Sequence, residues 1–132
     1  MKTLLIDDMR SDVHVLAVDL RHVLAALGER ATNSEWRVRD VWATGDDGSA
    51  TELGSLDGTI AVTGQRLREL AEDVTQVIDG VFSAFESGSV EPWVVVEAVD
   101  SSYYLVRSDD PSVLDIIRNT FHHVSDFEQP VT

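Results

Sequence analysis

The chain has no cysteine among its 132 residues. That excludes disulfides, thiolate nucleophiles and Cys-ligated metals. Lysine is nearly absent too: Lys2 is the only one, and the arginines are scattered. Binding to DNA or RNA draws on clustered Lys and Arg that release phosphate counterions, so nucleic acid and anionic membranes are not expected partners. No apolar run reaches the roughly 18 residues that a membrane-spanning helix needs. The opening Met1-Lys2-Thr3-Leu4-Leu5-Ile6 runs straight into Asp7-Asp8, too short an apolar stretch for a signal peptide, and a cytoplasmic location is expected. A phosphate-binding glycine loop is also missing, because Gly54, Gly58 and Gly64 are dispersed and no Gly-Lys-Ser/Thr ending follows them.

What is abundant is acid. Asp and Glu number 24 against 10 Lys and Arg, a formal net charge of −14. The excess is uneven, with 13 acidic and 3 basic residues in 67–132 against 11 and 7 in 1–66. A field of this sign attracts cations or a basic protein and speeds their encounter. The preference for Arg over Lys, with abundant Val, Asp, Ala and Thr, fits a high-GC genome or a salt-adapted proteome equally well. In that case the acidity is general and names no partner. The length suits one domain over 1–132, able to bury about two thirds of its extended surface.

Apolar spacing predicts the elements. Thr3 to Ile6 reads as a strand, and Val13, Leu16, Leu20, Val23 and Leu27 form one stripe of a helix over 12–27, capped by Ser11 or Asp12 and ended by Gly28. Glu35 to Ala43 alternates as a strand until its parity slips after Asp40, the mark of a bulge. Gly45 to Ser49 reads as a turn, and 51–62 gives no clear pattern. Arg66 to Ile78 reads as a helix with Thr63 as cap and Gly80 as stop, followed by a strand over 81–86. Trp93 to Val99 is apolar at both parities and reads as a central strand covered on both faces. Asp100-Ser101-Ser102 turns it into a hairpin with Tyr103 to Arg107. Asp110 and Pro111 open a last helix, Val124 to Phe127 adds an edge strand, and the tail at 129–132 is expected to be disordered. The connections between the late strands are too short for parallel crossovers. The expected fold is therefore α+β: a largely antiparallel sheet of about four to six strands with three helices, mainly on one face.

Two clusters invite chemistry. Asp7 and Asp8, where a strand stops, resemble the magnesium-binding acidic pair of response-regulator receiver domains. That resemblance implies a phosphoacceptor Asp at the end of a middle strand and a Lys on a late strand. Asp57 stands at a suitable distance but has no apolar strand before it, no Lys follows Lys2, and the hairpins of the second half break the βα alternation. The likeness covers only the opening β-α unit, and the chain is not read as a receiver. His122, His123 and Asp126 carry ligand types suited to Zn²⁺, Mn²⁺ or Fe²⁺, but adjacent strand residues point to opposite faces. Asp7, Asp8, His122, His123 and Asp126 are thus weak metal candidates, and no cofactor is expected. Asp100-Ser101-Ser102 lacks the base and oxyanion device of a serine hydrolase.

The adjacent Tyr103 and Tyr104 place one ring away from the core, among acidic residues. The leading reading is a non-enzymatic module that binds a basic protein through Glu86, Glu91, Glu97, Asp100, Tyr103, Tyr104, Asp109 and Asp110, as immunity or inhibitor proteins do in general terms. The alternatives are a small metal-dependent enzyme using Asp7 and Asp8, and a structural subunit that pairs with itself.

Overall fold

The computed structural model describes residues 1–9, 16–45 and 48–127. The strands are β1 (Lys2–Ile6), β2 (Glu35–Thr44), β3 (Val62–Thr63), β4 (Gln76–Phe85), β5 (Val94–Val99), β6 (Tyr103–Ser108) and β7 (Val124–Asp126). The helices are α1 (Leu20–Leu27), α2 (Glu29–Thr32), α3 (Gly48–Ser55), α4 (Gly64–Asp73) and α5 (Pro111–Thr120). Among the described residues these make one seven-stranded sheet in the order β3-β2-β4-β5-β6-β1-β7, with every pairing antiparallel. The fold is α+β as expected, with more strands and more helices than the four to six and three read from the sequence. Those additions come from α2, α3 and β3, all short or poorly patterned.

Period-two alternation decides the layers. Val38, Phe82, Val96, Val106 and Leu4 face one another across successive strands, and all are fully buried. Their side chains share one core cluster with Leu20, Val23 and Leu27 of α1, Leu67 and Leu70 of α4, and Ile117 of α5. The helices therefore cover that face. Across the same strands run Arg39, Val81, Glu97, Leu105 and Leu5 on the opposite face, the open face, where among the described residues no helix packs although Leu105 itself is buried. Val95, Glu97 and Val99 of β5 are only half-buried, so this central strand is not sealed on both faces as its apolar run suggested.

Three boundaries differ from expectation. α1 begins at Leu20, not near residue 12: Leu16 instead bridges Met9, and the Ala17 amide donates to the Asp8 carbonyl at 2.7 Å. Ser11, Asp12 and Val13 lie outside the described residues. Asp19 holds the cap position, drawn there by buried partners on other elements. α4 keeps its predicted cap, with the Thr63 hydroxyl accepting from the Arg66 amide at 3.1 Å, but stops at Asp73. Val74, Thr75, Val77 and Ile78 mimic helical spacing, yet they are β-branched, and Ala43 pairs with Val77 in the sheet. Gly80 is consequently a strand residue, not a helix stop. A Cβ there would stand 2.8 Å from the Phe82 ring. Lastly, Gly48 and Ser49 open α3 where a turn was expected; Asp46 and Asp47 lie outside the described residues, as does the tail from Glu128.

Other features follow the sequence. Pro111 starts α5, and the Asp110 carboxylate accepts from the Ser112 amide at 2.9 Å. Val124–Asp126 forms the edge strand against β1.

Candidate binding surface

The parity slip in β2 is real and has a consequence. Asp40 adopts φ of 57°, in the left-handed region that Asp tolerates better than most residues. The pairing of β2 with β4 then shifts between Arg39 and Trp42, so that Trp42 stands opposite Asp79. A bulge re-aims the side chains that follow it. Trp42, which regular alternation would place with Trp36 and Val38 in the core, is instead 61 % exposed.

Carboxylates gather beside it. Asp79 is half-buried and stands opposite the exposed Trp42 in the β2–β4 pairing. One of its oxygens accepts the Asp100 amide at 2.9 Å. Asp100 and Ser101 both have positive φ, and the Ser102 amide closes on the Val99 carbonyl at 2.8 Å, which fixes the tight β5–β6 turn. The Trp42 corner thus carries an exposed indole, Asp79 and Asp100, with Asp40 close in sequence and itself paired with Arg39.

Many of the residues expected to bind a partner serve internal contacts instead. Arg30 lies 4.1 Å over the Trp93 ring and forks to both Glu86 oxygens at 3.1 and 3.0 Å, while also reaching Asp110 at 2.8 Å. Ser112 and then Arg30 hold the Asp110 carboxyl below the usual carboxylate range. Glu97 is bridged by Arg107 at 2.9 Å, and Asp109 by the chain's amino terminus at 3.2 Å. Tyr104 is a correction: it is 1 % exposed, its hydroxyl donating to Asp19 at 2.9 Å, so it presents no ring to a partner. Burial and then the Asp19 charge push that hydroxyl far up and keep it protonated. Tyr103 is half-buried on the open face, and Glu91 is exposed.

The metal candidates are drawn together only in part. The two oxygens of Asp8 accept the backbone amides of His122 at 2.8 Å and His123 at 2.5 Å, so this carboxylate staples the α5–β7 connection to the end of β1. The Asp7 amide donates to the His123 carbonyl. Asp126 pairs with Arg118 at 3.1 Å. Among the described residues no three His, Asp or Glu side chains are grouped to hold a metal ion, and no helix is long and apolar enough to cross a membrane.

No family model, curated protein or solved structure matches the chain. Roles must come from this chain's own geometry.

Sequence reasoning singled out neither Asp19 nor His22. The Asp19 amide donates to His22 Nδ1 at 2.9 Å, which requires that nitrogen to be unprotonated. His22 lies on the rim of two open grooves. One, of about 490 Å³, includes Val18, Ala26, Phe121 and His122; the other, of about 330 Å³, includes Asp19, Arg21, Thr75 and Gln76. Burial, followed by the neighbouring Arg21 charge, lowers the His22 pKa from its ordinary value of 6.5. The folded state therefore prefers neutral His22. Its contribution to stability is complete above 6.5 and is lost as pH falls below that value. Gln accepts the same bond at this third helical position and does not titrate. His22→Gln is thus expected to remove the part of the acid destabilisation that sets in just below 6.5. Denaturation midpoints between neutral and mildly acidic pH check it. Parallel pH profiles for both proteins would contradict the assignment.

Proposed function

We propose that this chain is a non-enzymatic protein-interaction module that docks a basic protein at the Trp42 corner. The observation that carries this reading is Trp42 itself, turned out to 61 % exposure where the β2–β4 register shifts on both sides of it. Exposing an indole forfeits the burial that the alternation offers, about 2–3 kcal/mol for a large apolar side chain. Tryptophan is also among the residue types that dominate interface energetics. Asp79 and Asp100 flank it in a chain of net charge −14, which favours an Arg or Lys stacking on the indole with its charge met by carboxylates. This reading moves the contact away from Glu86, Glu97 and Asp110, which arginines of the same chain already neutralise.

An NMR titration with an oligo-arginine peptide tests it. Shifts should concentrate on the Trp42 indole and the amides of Asp79 and Asp100, and should fade at high salt. Trp42→Ala should weaken binding about fivefold, the order of 1 kcal/mol for an exposed cation–π contact. Shifts spread evenly over remote carboxylates such as Asp57 and Glu69, or no loss on Trp42→Ala, would reject the site.

A further inference from the structure

We propose that His22 is a proton-driven latch, which trades its bond to the Asp19 amide for one to the Asp19 carboxylate and so resets the wall between two grooves. The latch is built into the start of α1. The Asp19 amide donates to His22 Nδ1 at 2.9 Å, so the neutral ring carries its proton on Nε2. Protonation puts a hydrogen on Nδ1 as well. Two N–H donors then face each other, and the imidazolium has to turn away from the amide.

Asp19 also supplies the place to turn to. One carboxylate oxygen is taken by the Val77 amide and the Tyr104 hydroxyl. The other is buried and accepts no hydrogen bond, the single side-chain nitrogen or oxygen in that state among the described residues. An imidazolium is the donor it lacks, and a charge-assisted bond is the stronger kind. Arg21 stands 3.5 Å from the same oxygen, but its side chain is 40 % exposed and yields readily to solvent. The charged groups around the ring act in both directions. Asp19 attracts the imidazolium and Arg21 repels it. Across the grooves stand Asp8, whose oxygens are held by two backbone amides, and the second imidazole of His122. The segment entering β4 brings only the uncharged Thr75 and Gln76. Ala17, Val18 and His22 line both grooves and so form their shared wall. Of the two grooves Asp19 lines only the smaller, so a ring drawn to its carboxylate moves that way. The larger groove, which runs to Phe121 and His122, then widens. The new bond returns part of what the old one loses, so acid rearranges the first turn of α1 before it unfolds the domain.

An NMR titration downward through 6.5 tests the latch. At neutral pH the His22 nitrogens should report the Nε2–H tautomer. On acidification the protection of the Asp19 amide against hydrogen exchange should fall about fivefold, the order of one hydrogen bond, after correction for the intrinsic pH dependence of exchange. Leu70 of α4 and Ile117 of α5 should keep their protection. Signals of Ala26 and Phe121 in one groove and of Thr75 and Gln76 in the other should move with the same midpoint as His22. His22→Gln keeps an acceptor for the amide but cannot be charged, and should abolish the coupled response. His122→Gln should leave it intact, because the bond from His122 to Asp8 runs through its backbone amide. An Nδ1–H tautomer at neutral pH, unchanged Asp19 protection in acid, the same coupled shifts in His22→Gln, their loss in His122→Gln, or protection lost equally in α5 would each overturn the proposal.

Discussion

Gly64→Ala is expected to cost more than about 3 kcal/mol of stability, a large part of the total for a domain of this size. Gly64 is the first residue of α4, and its amide donates to the Ser34 carbonyl at 2.9 Å. A Cβ there would run into the Ala31 carbonyl oxygen and stand 2.6 Å from the Thr32 carbonyl oxygen. These are backbone atoms of α2, so no rotamer change relieves the overlap. Ala31 cannot retreat without loss either, because its carbonyl accepts the buried Trp36 indole N–H at 2.9 Å. The clash therefore spreads to the largest fully buried side chain of the core. Urea denaturation, or the soluble fraction on expression, reads the effect. Gly54→Ala is the control: its nearest neighbour is the Val41 carbonyl at 3.7 Å, and alanine in α3 should stabilise by about 0.5–1 kcal/mol. A melting temperature for Gly64→Ala within a degree or two of the parent would show that α2 and α4 are not in this close approach.

Gly64 also shows where the sequence stops being legible. It reads as one of several dispersed glycines, and nothing local marks it as the point where two helices meet. Features set by neighbours in sequence were readable: the Asp110–Pro111 helix start, the β5–β6 hairpin and the Thr63 cap. Val77 and Ile78 were misassigned because their spacing suits a helix and a strand alike, and pairing with β2 decided between them. The candidate surface was half legible. The slip after Asp40 announced the bulge, but only the register against β4 places Trp42 opposite Asp79 and into solvent. In the same way, adjacent Tyr103 and Tyr104 had to point to opposite faces, and which one is buried depends on Asp19, a residue 85 positions away.

Asp19→Ala should cost about 3 kcal/mol or more, and the sign needs argument because a buried carboxylate can itself be a burden. One oxygen of Asp19 accepts the Val77 amide at 3.0 Å and the Tyr104 hydroxyl at 2.9 Å, both buried. The other oxygen accepts no hydrogen bond and lies 3.5 Å from an Arg21 nitrogen. Removing the carboxylate relieves the desolvation of that second oxygen, which Arg21 already offsets in part. It strands two buried donors, at about 1–3 kcal/mol each. The two stranded donors outweigh the relief, since both lie buried between α1, β4 and β6 and lose their shared acceptor at once. Tyr104→Phe removes one donor together with its need, and should cost only about 1.5 kcal/mol. In the Asp19→Ala background the same Tyr104→Phe change should cost little or even restore stability, because the hydroxyl it deletes no longer has an acceptor. The double-mutant cycle by urea denaturation should therefore be strongly non-additive. Additive losses would mean that Asp19 and Tyr104 do not share the bond, and a gain in stability on Asp19→Ala would mean that the unpartnered oxygen dominates the site.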